Sequence, residues 1–516
     1  MDYDVIIIGG SLSGAASAVL LRRECPSLRV LIVERTAKFG RRVGEATVEI
    51  SGYFLGRVLG MSQFLNDTQL VKQGMRFWFA NEDTQMLDES SEIGPRYHVR
   101  LPSWQLDRSV VDEELLRRAV EAGAELQRAA QVTRVQLTPG GEQVVTVRSE
   151  AREKALRCRW VIDASGVAAL LARQEGWLRP NNDHPTAAAW GRWRGVKDWD
   201  GRALAEKFPE WAAACYGTRN TATNHIVGDG WWSWWIPLKG GDVSVGVVFD
   251  QRLVEFPSGA GRIGERIQEF LSRHPVAREV LARAEWVEGD THWRKNLAYS
   301  STTLAGDGFA LVGDAAAFLD PLYSPGMDWI SFTVSASVRL IVAQQHGEPL
   351  APLLTEHEAI FSRSYERWFT AIYRDKYEYL GEFDLMRIAF RMDLGLYYLG
   401  IVSQPFKLGT DGLLMPPFAT KASAPVFYFM RFYNQRFAAI ARDRRRRQRL
   451  GRTNHGRRYL IPSFSISPSD IPRILLAAAE WLKLECVEGW RTWFGAHGTE
   501  QVPAGKPVGA AEASGS

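Results

Sequence analysis

The sequence predicts an α/β chain made of a Rossmann-like nucleotide-binding domain, an antiparallel β-sheet domain inserted into it, and a helical C-terminal region. Three observations predict this. A β-branched run, Val5-Ile6-Ile7-Ile8, leads straight into Gly9-Gly10-Ser11-Leu12-Ser13-Gly14 and a helical stretch, Ala15 to Arg22. Runs with strand character recur between about residues 175 and 300, among them Trp234 to Leu238 and Val243 to Phe249. From about residue 346 the pattern turns helical and aromatic, as in Phe427-Tyr428-Phe429-Met430-Arg431-Phe432-Tyr433. With 516 residues, 46% hydrophobic and 24% charged, the chain can bury a large core, which excludes a disordered, collagenous or disulfide-stapled protein.

The first run reads as a strand buried on both faces. The glycine turn after it lets helix N-terminal N–H groups approach a pyrophosphate. Ser11 stands where the second glycine of GxGxxG is expected. A second strand, Val30 to Val33, ends in Glu34, 20 residues after Gly14, where an acid accepts ribose hydroxyls. The 17 uncharged residues from Val5 to Leu21 are neither signal peptide nor membrane span. Asp2 and Asp4 precede them where a signal carries Lys or Arg, and glycines break their middle. Cys25, Cys158, Cys215 and Cys486 lie far apart and the histidines lack metal-site spacing. No metal is expected, and a reducing cytoplasm is the expected location.

Three later segments narrow the cofactor. Gly308 to Ala317 reads as a strand, a Gly313-Asp314 turn and a helix, and resembles the Gly-Asp motif of FAD-dependent monooxygenases. Ser103-Trp104-Gln105-Leu106-Asp107-Arg108 and the stretch Val111 to Leu116 resemble their segment that brings an arginine or glutamine to the cofactor. Trp160-Val161-Ile162-Asp163-Ala164-Ser165-Gly166 resembles the strand closing their FAD domain. The resemblance implies FAD, with Gly9, Gly14, Glu34, Arg42, Gln105, Arg108, Gly313 and Asp314 as cofactor-binding residues.

Trp232-Ser233-Trp234-Trp235-Ile236-Pro237 reads as WxWxIP, and with it the sequence resembles the flavin-dependent halogenases over roughly residues 1 to 345. Gly44-Glu45-Ala46-Thr47 is similar to their GExT segment, and Lys72, ahead of a strand, falls where the family carries its catalytic lysine. The resemblance implies that reduced FAD (FADH2) and dioxygen turn chloride or bromide into hypohalous acid. That oxidant would pass a tunnel walled by Trp232 and Trp234 to Lys72. Burial lowers a lysine pKa and makes the neutral amine accessible, whereas arginine stays charged. Asp320 to Met327 aligns with the family's halide loop, so Ser324, Pro325 and Gly326 are the halide candidates. Tryptophan-specific members place a glutamate where Tyr323 stands, so a phenolic or pyrrole-type aromatic is the expected substrate. Pro325 replaces a Ser or Thr whose N–H binds halide, and proline has none.

These readings divide the chain into an FAD-binding domain (1–175), a substrate-side β-sheet (176–300), a final FAD-binding part (301–345), a helical region (346–495) and a flexible tail (496–516). The expected activity is an FADH2-dependent halogenase, fed by a separate flavin reductase because no second nucleotide motif is evident. The alternative is a flavin monooxygenase on the same scaffold without halide use. The net charge of +4 conceals a local +8 between residues 442 and 458, which hold nine arginines against Asp443. The other 499 residues sum to −4, so no nucleic-acid partner is expected. For the arginine run a solvated face, docking of an acidic carrier protein that presents a tethered substrate, and attraction to anionic lipid all remain open.

Overall fold

The computed structural model describes residues 1–494 apart from 151, 216, 260, 462 and 463, and the flexible tail expected at 496–516 lies outside the described residues. Its first sheet is built on parallel strands in the order Phe309–Leu311, Arg152–Asp163, Tyr3–Ile8, Val30–Glu34, Glu125–Arg128. Ile7 pairs with both Ile32 and Ile162. All three are fully buried, as the parallel centre of a sheet covered on both faces requires. The Leu12–Glu24 helix packs between the Arg108–Glu121 and Pro325–Gln345 helices. The carboxyl ends of these strands converge on Gly9, Glu34, Ala164 and Val312, the crevice where such sheets bind ligands.

The second sheet has eight strands. Five come from the region between 186 and 295 and pair antiparallel, in the order Glu285–Lys295, Thr186–Arg194, Val243–Asp250, Trp231–Pro237, Thr223–Gly228. Three more extend it: Met75–Phe79, Ser91–Pro95 and Arg458–Ile461, the outer two junctions being parallel. Strand alternation gives this sheet two different faces. Trp235, with Trp78, Trp193, Trp199 and Trp211, forms a second core, and Trp231, Trp286 and Trp293 pack against it. That core accounts for eight of the 19 tryptophans. Trp232 and Trp234 point the other way, toward the nucleotide-binding unit.

One local expectation is corrected. No helix follows Gly313-Asp314 directly: a single tight turn, Gly313–Ala315, leads to a short strand, Ala317–Phe318, and the long helix begins only at Pro325. Two prolines explain this. A residue before proline is driven out of the helical region, which keeps Asp320 and Ser324 non-helical. Pro325 then opens the helix at its first position, where a missing N–H costs nothing.

Two residues of the arginine run, Arg444 and Arg445, are drawn into the molecule, while the other seven stay exposed. Arg444 reaches Glu382, Asp384 and Glu488, Arg445 binds Asp229 and Glu378, Arg442 binds Glu378, and Arg446 and Arg447 pair with Asp443. These residues tie the end of the Ala424–Arg446 helix to the segments around it.

Candidate active site

At the nucleotide end the glycines are structural necessities. Gly9 has φ +96, and a Cβ there would lie 2.7 Å from the Ala164 carbonyl oxygen; one on Gly14 would lie 1.9 Å from the Gly9 oxygen. Ser11 needs no such freedom at φ −70, and its hydroxyl donates to Asp112 at 2.7 Å. Arg108 grips the same carboxylate with Nε at 2.9 Å and Nη2 at 3.1 Å, and Arg42 stands 3.8 Å from it. Glu34 accepts from the Gly10 N–H at 2.8 Å and from both donors of Thr36, which fixes its carboxylate at the strand end.

A cavity of about 180 Å³ opens beyond these groups. Glu45, Arg108, His225, Trp232, Trp234 and Asp314 line it, together with Ile236. Burial pushes Asp314 up to about 6 against the opposing pull of Arg108 and Arg294. Burial likewise lifts Glu45 to about 7, although Arg192 clasps it at 2.8 Å. Trp232 donates to the Tyr377 hydroxyl at 2.8 Å, which donates to Asp320 at 3.0 Å, so the indole cannot swing. Trp234 lies over Gly246, where a Cβ would meet its ring at 2.2 Å. Pro237 ends the strand and is not part of the cavity wall, and the Gln105 amide is turned onto Thr223 at 3.1 Å, behind it. The glycine cradle, Arg108 and Asp314 at one continuous crevice fit FAD.

A second, apolar cavity of about 160 Å³ lies under the Phe383–Tyr397 and Ala424–Arg446 helices. The two cavities are separated by one segment. Tyr323, Pro325 and Asp328 face the second, while Ser324, Gly326 and Met327 face the first. Tyr323 and Ser324 make the alternation by adopting left-handed φ values of +66 and +58. The sequence expected Trp232 and Trp234 to wall a passage between flavin and substrate; the structure puts both on the first cavity, with the 323–328 segment forming the partition.

Lys72, 1% exposed, lines a small pocket of about 50 Å³ whose walls Val48, Glu49, Met75, Phe390 and Leu394 also border the second cavity. Its Nζ donates to the Thr47 carbonyl at 2.8 Å, at the end of the Gly44-Glu45-Ala46-Thr47 segment. Thr47 is itself fixed by two hydrogen bonds between its hydroxyl and the Trp104 backbone, at 2.6 and 2.9 Å. Burial lowers the Lys72 pKa to about 8, with Glu49 and Asp328 opposing. On the other side, burial and then the Lys72 charge depress His225 to about 3, leaving a neutral imidazole stacked on Phe77. Lys72 therefore feels a residue of each cavity, His225 of the first and Asp328 of the second.

Several polar groups of the second cavity were not legible in the sequence. Asp328 accepts from the Ser51 N–H at 3.0 Å and the Tyr397 hydroxyl at 2.8 Å, and burial pushes it up to about 7. Asp393 holds the buried Lys376 at 2.8 Å and accepts from Tyr433 at 2.5 Å and Tyr323 at 3.3 Å. Lys376 and Asp393 are 17 residues apart on separate helical segments, a spacing that carries no motif.

Comparison with known proteins agrees with this geometry. Residues 4–219 match the model of FAD dependent oxidoreductases. Over 380 residues the chain is 26% identical to a tryptophan 2-halogenase of Chondromyces crocatus, covering 70% of this chain and 66% of that protein. Over 367 residues it is 26% identical to the sulochrin halogenase of Aspergillus terreus, covering 67% and 64%. The chain is similar to FAD dependent oxidoreductases and to flavin-dependent halogenases. It spans just under two thirds of each of these two curated relatives. The fold of the chain is that of the halogenase PltM in complex with phloroglucinol and FAD, with a TM-score of 0.73 at 18% identity, covering 94% of this chain and 97% of that one. No described helix is long and apolar enough to cross a membrane.

Proposed function

We propose that this enzyme halogenates an electron-rich, phenolic aromatic, free or presented on a carrier protein, and that Lys72 carries the halogen between the two cavities. The observation that supports this reading best is the buried Lys72 amine beside the second cavity, lowered to about 8 and held by the Thr47 carbonyl. Reduced FAD with dioxygen, the former supplied by a separate reductase, furnishes the oxidant that converts chloride or bromide to hypohalous acid. The neutral Lys72 amine then displaces water from hypohalous acid, forming an N–halogen bond. The aromatic ring takes the halogen from that nitrogen, which takes up a proton as the nitrogen–halogen bond breaks and so returns to the amine, and loss of the ring proton completes the substitution. The ring proton needs an acceptor, and Asp328, on the wall of the second cavity, is suited to it at about 7. Two names fit a phenolic substrate, a relative named for sulochrin and a structural neighbour solved with phloroglucinol, whereas the tryptophan 2-halogenase is named for an indole.

Halide would sit at the Ser324–Gly326 turn, on the first-cavity side. The Gly326 N–H is a donor there, whereas Pro325 contributes none. Restoring it in Pro325→Ser is expected to lower the halide concentration for half-maximal product by roughly ten- to a hundredfold, the worth of one charge-assisted hydrogen bond. An unchanged halide requirement removes this account of the turn. The missing donor also favours the second reading, a monooxygenase without halide use. Incubation with FADH2, oxygen, bromide or chloride and a phenol panel, followed by mass spectrometry, separates the two. Halogenated phenols are the expected product; oxygenated products without halogen at every halide concentration would establish the monooxygenase.

A further inference from the structure

The last described segment carries an apolar face that nothing in the described chain covers. It comprises the Ile471–Leu484 helix, a wide turn at Glu485–Gly489 and a final turn at Arg491–Phe494, together roughly 35 Å long. Ile471, Leu475, Leu482, Trp490 and Trp493 recur at intervals that place them on one side of such a helix. Leu475, Leu482, Val487 and Trp490 are 62%, 57%, 63% and 50% exposed. Single exposed apolar residues are ordinary, whereas a continuous stripe of this length marks an interaction surface.

The charges identify the partner. The segment has three acids, and each is bound inward: Glu480 by Arg387 and Arg391, Glu485 by Arg436, Glu488 by Arg444. Its outer side bears Lys483, exposed in the middle of the stripe, and Arg491, whose guanidinium lies 5.5 Å from the Trp490 ring. An apolar face with basic residues and terminal indoles has the chemistry of a helix lying in a lipid headgroup layer. Two copies of this chain pairing through the stripe would set Lys483 of each against the other near the two-fold axis, which disfavours a dimer contact. The stripe ends against the Ala424–Arg446 helix, one side of which borders the second cavity. Trp493 packs on the exposed Phe432 at 6.0 Å, and Val426, six residues earlier on the same helix, is both exposed and part of the cavity wall.

We propose that this face seats the enzyme peripherally on an anionic lipid bilayer, lying on the membrane and not crossing it. The inference is independent of the halide chemistry. It is tested by flotation of the full chain with phosphatidylcholine vesicles with and without phosphatidylglycerol, beside the double variant Leu475→Glu, Leu482→Glu. Both leucines are exposed and remote from the FAD crevice, so the variant is expected to bind FAD normally. The wild type is expected to float with phosphatidylglycerol-containing vesicles and to shift its indole emission to the blue. The variant is expected to lose at least about tenfold of the bound fraction. Absence of flotation, or equal flotation by the variant, overturns the proposal. So does a wild-type dimer in sedimentation that the variant converts to monomer, which would make the stripe a contact between copies of this chain.

Discussion

Replacing Lys72 by alanine is expected to abolish halogenated product while oxygen is still consumed and FAD still binds. The amine is buried beside the second cavity, and the other buried lysine among the described residues, Lys376, is tied to Asp393 at 2.8 Å and to the Tyr379 hydroxyl at 2.6 Å. Loss of a group that takes part directly in transfer is worth roughly 10²- to 10⁴-fold in rate. Lys72→Arg is expected to be as inactive as the alanine variant, since a guanidinium keeps its proton and cannot displace water from hypohalous acid. The pH dependence has a definite sign. Burial favours the neutral amine, so the competent fraction rises as pH increases through about 8 and falls below it. The measurement is a single-turnover product yield against pH, with oxygen uptake followed in parallel. Wild-type yields from Lys72→Ala would refute the relay, and a yield that falls as pH rises through about 8 would refute the neutral-amine form of it.

Gly14→Ala is expected to weaken FAD binding by about a hundredfold or more. The added Cβ would sit 1.9 Å from the Gly9 oxygen, and it meets backbone, which cannot rotate away. Overpacking of that kind costs about 3 kcal/mol, roughly two decades of affinity, when it must be relieved by moving a turn. The turn in question aims the helix N-terminus at the pyrophosphate. Ser11→Gly, by contrast, is expected to change affinity little, because Ser11 already has an ordinary φ of −70 and Arg108 and Asp112, which lose its hydroxyl, still hold each other. Flavin titration followed by absorbance checks both. Full affinity in the Gly14→Ala variant would show that the cradle yields more easily than its geometry implies.

How much was legible in the sequence depended on how far apart the cooperating residues lie. Gly9, Gly14 and Glu34 form one local strand–turn–helix–strand unit, and the structure joins them as the spacing requires. The alternation in Trp231–Pro237 is equally local: a strand sends Trp232 and Trp234 to one face and Trp231 and Trp235 to the other. The helix misplaced after Asp314 shows the limit, because apolar periodicity there was overruled by the proline at 321 and by the left-handed pair Tyr323 and Ser324.

By itself, then, the sequence determined the nucleotide-binding unit, which rests on short-range geometry, whereas FAD and Lys72 were singled out by the resemblance of their motifs to a family. Only the tertiary structure decided what surrounds them. It buried Lys72 between His225 and Asp328, which lie 153 and 256 residues further along the chain, and so lowered its pKa. It moved the partition from the tryptophans to residues 323–328. It drew Arg444 and Arg445 of the arginine run onto Asp229, Glu378, Glu382, Asp384 and Glu488, a clamp that no charge count could foresee. Desolvation and charge pairing depend on neighbours that folding brings from anywhere in the chain, and no spacing rule encodes them.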